Sequence, residues 1–332
     1  MNKIEKLGIA FANAFPVWVL AGAGLALWEP ATANWFKPTW IPLFLSIIML
    51  SMGLTLEAGD FLRILKIPVS VLVGLSLHYL IMPLLGYALS KAFHLPVDYM
   101  IGMVLVSSVP AGTASNVVCY IARINLALSV TLTTCSTLLG VIMTPLLATW
   151  MIESLAQNMI GISVKVDTLG IFIETFQIVI LPVAAGILLN HYVPGLVRKV
   201  AAYTPFLAVL SIVFIVDSIL AAKRQAILNG GSQLILAIAA LHALGFFLGY
   251  LFSKLFALGE RDARTISVEV GMQNSGLATE LARHNFPAFG LATVPGAISA
   301  LTHCIVGCVV AGLCRLFPHT SEPIELQEQV ES

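Results

Sequence analysis

The stretch VEVGMQNSGLATE, residues 268–280, decides how this chain is read. It sets one carboxylate, Glu269, a few positions ahead of Gln273, Asn274, Ser275 and Gly276, and the chain on either side is almost wholly apolar. Apolar residues make up 58% of the 332 and charged residues 10%, with a mean hydropathy of +0.95. A soluble domain carries about 25% charged residues to cover its surface. A chain this apolar faces hydrocarbon, and the expected class is an all-α polytopic membrane protein. A carboxylate at the centre of a membrane helix costs about 2.5–3.5 kcal/mol or more, so Glu269 reads as a functional group.

About 20 apolar residues cross a bilayer as a helix. Apolar runs between Pro, Gly and charge clusters give ten spans, near 7–28, 39–57, 67–93, 98–122 and 126–152, then 168–190, 204–222, 232–257, 263–284 and 287–314. With the N-terminus (1–6) in the cytoplasm, eleven of the seventeen Lys and Arg fall inside and six outside, which predicts two cytoplasmic termini. The acidic tail over 317–332 has little to bury and is expected to be mobile. The expected location is a bacterial inner membrane, with the lipid bilayer as a partner. Net charge is zero, so no nucleic-acid partner is implied. Cys119, Cys135, Cys304, Cys308 and Cys314 include no C-x-x-C pair, and no zinc, haem or other cofactor pattern occurs.

The third and eighth spans resemble one another. LLGYALSKAF (84–93) and FLGYLFSKLF (247–256) align at an offset of 163, with His78 and His242 ahead of them at nearly the same offset. FPV (15–17) and LPV (181–183) open the first and sixth spans similarly. Two halves of five spans each must face opposite ways, so the chain is expected to hold two inverted five-helix repeats, an arrangement found in secondary transporters.

The fourth and ninth spans correspond in the two halves and both are interrupted. The fourth carries VPAGTASN (109–116), where Pro110 removes a backbone donor and Gly112 loosens the chain. A Pro-Gly kink also serves as plain structure in membrane helices, and that motif alone fits either use. Unwound backbone at membrane depth is tolerated only around an enclosed cavity. Each second half-helix then begins at mid-membrane with free N–H groups that suit an anion, while freed carbonyls and side-chain oxygens suit a small cation. Asp217 and Glu174 read as structural or cavity-facing, Glu280 as solvated near a helix end, and His242 and His303 as packing residues more readily than ligands.

GTASNVVCYIAR (112–123), NLALSVTLTTCSTL (125–138) and SVEVGMQNSGLA (267–278) resemble the bile acid:sodium symporter family, and the likeness covers about residues 5–316. The bacterial branch of that family includes transporters of pantoate or ketopantoate and others that accept bile acids. The resemblance implies a transporter domain over 7–316. Its panel would span about 7–57 and 168–222 and its core about 67–152 and 232–316, with helices 4 and 9 discontinuous and crossing. It implies Na+ as coupling ion, with one sodium site at Ser115, Asn116, Ser129, Thr133 and Glu269. A second would use Glu269, Val270, Met272 and Gln273, the Val and Met through their carbonyls. Two positions depart from the family. His78 stands where some relatives complete the second site with Gln, and His303-Cys304 stands where relatives often have His-Asn. A neutral imidazole is a poor ligand for a hard cation.

The function expected is sodium-coupled symport of an organic anion, a small carboxylate such as pantoate or ketopantoate or else a bile-acid-like anion. The substrate would lie against Gly112, Thr113, Asn274, Ser275 and Gly276, with His303 nearby. The alternatives are proton coupling through Glu269 or His78, and a passive channel or sensor. No H-E-x-x-H or G-x-S-x-G motif occurs and the chain does not read as an enzyme. Oligomeric state leaves no mark in the sequence.

Overall fold

A computed structural model describes residues 14–56, 68–161, 163–201 and 203–317. The N-terminal segment 1–6, the start of the first expected span, Arg63, Lys66 and the tail from Pro318 lie outside the described residues. The described chain is helical throughout, apart from a single isolated β-bridge.

The helices are α1 (Phe15–Trp28), α2 (Ile41–Thr55), α3 (Pro68–Ala92), α4 (Val97–Ser108), α5 (Ala114–Ala122), α6 (Leu126–Ile160) and α7 (Thr168–Thr175). A π-helical turn, Phe176–Ile180, carries α7 into α8 (Leu181–Tyr192). Then follow α9 (Pro194–Ala201), α10 (Thr204–Gly230), α11 (Ser232–Leu255), α12 (Glu260–Gly271), α13 (Ser275–Asn285) and α14 (Val294–Leu316). Among the described residues seven helical stretches are long and apolar enough to cross a membrane, and α1 and α4 are shorter apolar helices. Large apolar side chains such as Leu72, Leu80, Trp150 and Leu188 point outward, while Ser and Thr side chains are packed inside. That inside-out distribution suits a lipid solvent.

Local chemistry sets the helix ends. Asn125 caps α6 by accepting the Leu128 amide at 3.1 Å, and Asp167 caps α7 by accepting the Gly170 amide at 2.9 Å. Gly161, with φ +69°, ends α6 in the left-handed conformation that glycine tolerates. Helix α6 runs eight residues past the expected 152, where Glu153 accepts the Val166 amide at 3.4 Å. Helix α10 likewise continues past 222. The Arg224 Nε there donates to the Leu27 carbonyl at 2.5 Å, so a charge just past the expected end is taken up by the neighbouring helix end. The last helix starts at Val294 rather than near 287, because Phe286–Thr293 fold as turns ahead of Pro295.

Two packing groups stand out. Helices α1, α2, α8 and α10 pack on one another, and α3, α4 and α6 pack with α11, α12, α13 and α14. Helix α14 also touches α1 and α10, so the last helix borders both groups.

Candidate functional site

The fourth and ninth expected spans are each broken. Between α4 and α5 the chain is extended at Val109 (φ −76°, ψ 161°), and between α12 and α13 it is extended at Met272 (φ −115°, ψ 120°). Helix α4, at 12 residues, is about 18 Å long, roughly half a bilayer. The two breaks meet. Ala111 and Gln273 form an antiparallel bridge, the Gly112 amide donates to the Met272 carbonyl at 3.0 Å, and the Asn274 amide donates to the Pro110 carbonyl at 2.9 Å. Backbone groups released by each interruption are thus satisfied by the other, as an apolar surrounding demands. Gly112 permits the approach, because a β-carbon there would lie 2.6 Å from the Gln273 carbonyl oxygen.

Glu269 lies in the last turn of α12, 2% exposed. Its Oε1 accepts from Ser115 Oγ at 2.6 Å and from Ser129 Oγ at 2.5 Å, and its Oε2 accepts from Thr133 Oγ1 at 2.9 Å. Ser115 comes from the first turn of α5, and Ser129 and Thr133 from successive turns of α6. Asn116 Oδ1 is 2.7 Å from Ser129 Oγ and 3.4 Å from Thr133 Oγ1. One hydroxyl proton on Ser129 cannot serve Glu269 and Asn116 together. The cluster therefore has more oxygen lone pairs than protons to fill them. Among the described residues no basic side chain pairs with Glu269, the ion pairs being at Glu260 and Glu280. A buried, oxygen-rich, proton-poor pocket around an uncompensated carboxylate favours a small hard cation.

Gln273 and His78 sit on the other side of Glu269. Gln273 Nε2 donates to the Val270 carbonyl at 2.9 Å, and Gln273 Oε1 is buried without a hydrogen-bond partner among the described residues. The Met272 carbonyl is taken by Gly112. His78 Nδ1 lies 3.1 Å from the Glu269 carbonyl and Nε2 lies 3.1 Å from the Val109 carbonyl. A neutral ring has one N–H and can donate to one of these two oxygens. The orphan amide oxygen of Gln273 is the acceptor a second cation would satisfy.

In front of the crossing lies a cavity of about 40 Å³. Gly112, Thr113, Asn274, Ser275, Gly276 and His303 all line it. Phe15, Leu45 and Ile212 are among its apolar walls. The N-termini of α5 and α13 both open on it, and Asn274 caps α13 by accepting the Leu277 amide at 3.1 Å. The positive dipole ends of the two helices favour a negative group.

Sequence reasoning missed a buried polar chain. His242 Nδ1 is 2.8 Å from the Gly271 carbonyl, His242 Nε2 is 2.8 Å from Ser299 Oγ, and Ser299 Oγ is 2.7 Å from Ser275 Oγ. A carbonyl only accepts, so His242 donates through Nδ1 and takes the Ser299 proton at Nε2. His242 thereby ties the end of α12 to the start of α13. Its near-repeat relation to His78 was the available signal. Glu280 differs from its expected solvation: it is fully buried and paired with Arg283, three residues on. Glu174 accepts from Asn285. Neither Glu174 nor Asp217 lines the cavity at the crossing.

A chain whose described residues are helical, with apolar side chains outward and two broken helices that meet over a cavity backed by a buried acid, is a multi-pass membrane protein built for transport. Comparison with known proteins identifies the kind. Residues 42–230 match the Sodium Bile acid symporter family, and the chain belongs to that family. It is 42% identical to the probable sodium/metabolite cotransporter BASS1, chloroplastic, of Arabidopsis thaliana, over 98% of this chain and 78% of that protein. It is 36% identical to the uncharacterized sodium-dependent transporter YocS of Bacillus subtilis, over 94% of each chain. These relatives are named as transporters, not enzymes.

Proposed function

We propose that this chain is a sodium-coupled symporter that carries a small organic anion across a membrane by alternating access. The carrying observation is the Glu269 carboxylate, buried without a basic partner inside the oxygens of Ser115, Asn116, Ser129 and Thr133. Sodium at that cluster, and a second ion between Glu269, Val270, Met272 and Gln273, would neutralise the acid and hold the crossed breaks in one shape. His78 borders the second ion rather than replacing an oxygen ligand. With the breaks held, Gly112, Thr113, Asn274, Ser275, Gly276 and His303 bind the substrate's carboxylate. The relatives' names, sodium/metabolite cotransporter and sodium-dependent transporter, support the choice of ion.

In this reading the ten spans form two inverted five-helix repeats in a plasma membrane, with both termini in the cytoplasm. The group α1, α2, α7–α8 and α10 is a panel, and α3–α6 with α11–α14 is a core that moves against it. The cavity lies between the two groups, with Phe15, Leu45 and Ile212 from the panel and the two breaks from the core, so movement of one group against the other changes access to it. The paired helix N-termini favour a compact carboxylate, such as pantoate or ketopantoate, over a bile-acid-like anion.

The test is uptake of a panel of radiolabelled carboxylates and bile acids into proteoliposomes. An inward sodium gradient is compared with potassium at fixed pH, and then with a proton gradient alone. Uptake that follows sodium supports the reading, uptake that follows only the proton gradient replaces the coupling ion, and flux indifferent to both indicates a passive pore.

A further inference from the structure

Asp217 is an acid that the proposed mechanism leaves unused. It sits within α10 and faces α1 at Gly22, where a β-carbon would come within 2.3 Å of Asp217 Oδ2. The glycine is what admits the carboxylate between the two helices. Asp217 Oδ1 is buried and has no hydrogen-bond partner among the described residues. The same side chain lines a cavity of about 170 Å³ between α1, α10 and the loop that joins α1 to α2. Trp35 and Phe36 of that loop and Phe214 of α10 line it too. The Phe214 ring centroid is 5.1 Å from Trp35 and 6.1 Å from Phe36, so the three rings form one aromatic cluster.

The lining includes no basic residue. Arg224, two turns further along α10, is committed to the Leu27 carbonyl at 2.5 Å. Among the described residues no basic side chain faces the carboxylate, so water, a proton or a cation from solution completes its bonding, and only a cation balances its charge while it stays ionised. A metal ion such as sodium needs several oxygen ligands, as hard cations do. Here the side-chain oxygens are those of Asp217 and the Thr32 hydroxyl, and Thr32 already donates to the Glu29 carbonyl at 2.7 Å. Aromatic rings, by contrast, attract an organic cation through the negative faces of their π-systems, and the attraction grows in a desolvated site. A single carboxylate and aromatic walls around a cavity of about 170 Å³ together describe a receptor for a compact organic monocation.

We propose that this cavity binds a compact organic ammonium cation, with Asp217 as its counter-ion and Trp35, Phe36 and Phe214 as its walls. The site is separate from the crossing and does not depend on the sodium-coupled reading.

The experiment is isothermal titration of the full-length detergent-purified protein in sodium-free potassium buffer. The two probes are choline and its uncharged isostere, 3,3-dimethylbutan-1-ol. Saturable binding of choline and none of the alcohol is expected. Asp217→Asn should weaken choline binding about tenfold or more, and Trp35→Leu should weaken it several-fold. The proposal is overturned if choline gives no saturable heat, if the alcohol binds as well as choline, or if Asp217→Asn binds choline undiminished. Should Asp217→Asn fail to fold, Phe214→Leu decides: weakened choline binding supports the site and unchanged binding removes it.

Discussion

His78 and His242 brace the same helix end from two different helices. His78 contacts the Glu269 carbonyl at 3.1 Å and His242 the Gly271 carbonyl at 2.8 Å, both at the point where α12 stops. The last carbonyls of a helix have no partners within it. At membrane depth they need other donors: His242 donates to the Gly271 carbonyl, and His78 lies between the Glu269 and Val109 carbonyls and donates to one of them. The bracing fixes where Glu269 stands, and it leads to the first prediction.

Replacing His242 with Leu leaves the Gly271 carbonyl buried without a partner, while the Ser299 hydroxyl keeps Ser275 Oγ at 2.7 Å. The cost of one such orphan is about 1–3 kcal/mol. The variant is expected to melt at a lower temperature than wild type, while its sodium midpoint, measured by titrating thermal stability with sodium chloride against potassium chloride, moves less than threefold. A tenfold or larger weakening of sodium binding would place His242 in the ion site itself.

Gly112→Ala should damage the crossing directly. Its new methyl meets the Gln273 carbonyl at 2.6 Å, and backbone cannot retreat cheaply. Overpacking of this kind costs about 1–3 kcal/mol. We expect a lowered melting temperature together with loss of most carboxylate uptake in proteoliposomes. Wild-type stability and uptake would mean that the two breaks are not held in contact.

Ser129→Ala and Thr133→Val each remove one hydroxyl oxygen from around Glu269. One hydrogen bond or ligand to a charged group is worth about 1.5–3 kcal/mol, which corresponds to a loss of roughly 10- to 150-fold in sodium affinity. The same titration of thermal stability against sodium reads it out. Thr131→Val is the control, since Thr131 Oγ1 donates to the Ala127 carbonyl of its own helix at 2.8 Å and lies outside the cluster. It should leave the sodium midpoint unchanged.

Much of this arrangement was legible in the sequence, for identifiable reasons. Pro110 and Gly112 spell out one interruption, and the amide cluster after Glu269 spells out the other, because backbone-breaking and polar residues are costly in an apolar run. Ser129 and Thr133, four apart, had to share a helix face. What the sequence could not supply were contacts made across it. The Ala111–Gln273 bridge joins residues more than 160 positions apart, and nothing local to either records the other. The His242–Ser299–Ser275 chain draws on three separate helices. Glu280 was misread because its burial and its pairing with Arg283 depend on packing. The lengths of α6 and α10 were underestimated because charged residues continue as helix where a neighbour satisfies them, Glu153 by the Val166 amide and Arg224 by the Leu27 carbonyl.

The central claim is that a buried acid behind the crossing holds sodium, and binding of radioactive sodium to purified protein tests it most directly. Wild type should bind sodium saturably, displaced by unlabelled sodium but not by potassium. Glu269→Gln, which keeps the side chain's size and removes its charge, should lose that binding while remaining folded. Equal saturable binding in the two proteins would contradict the account.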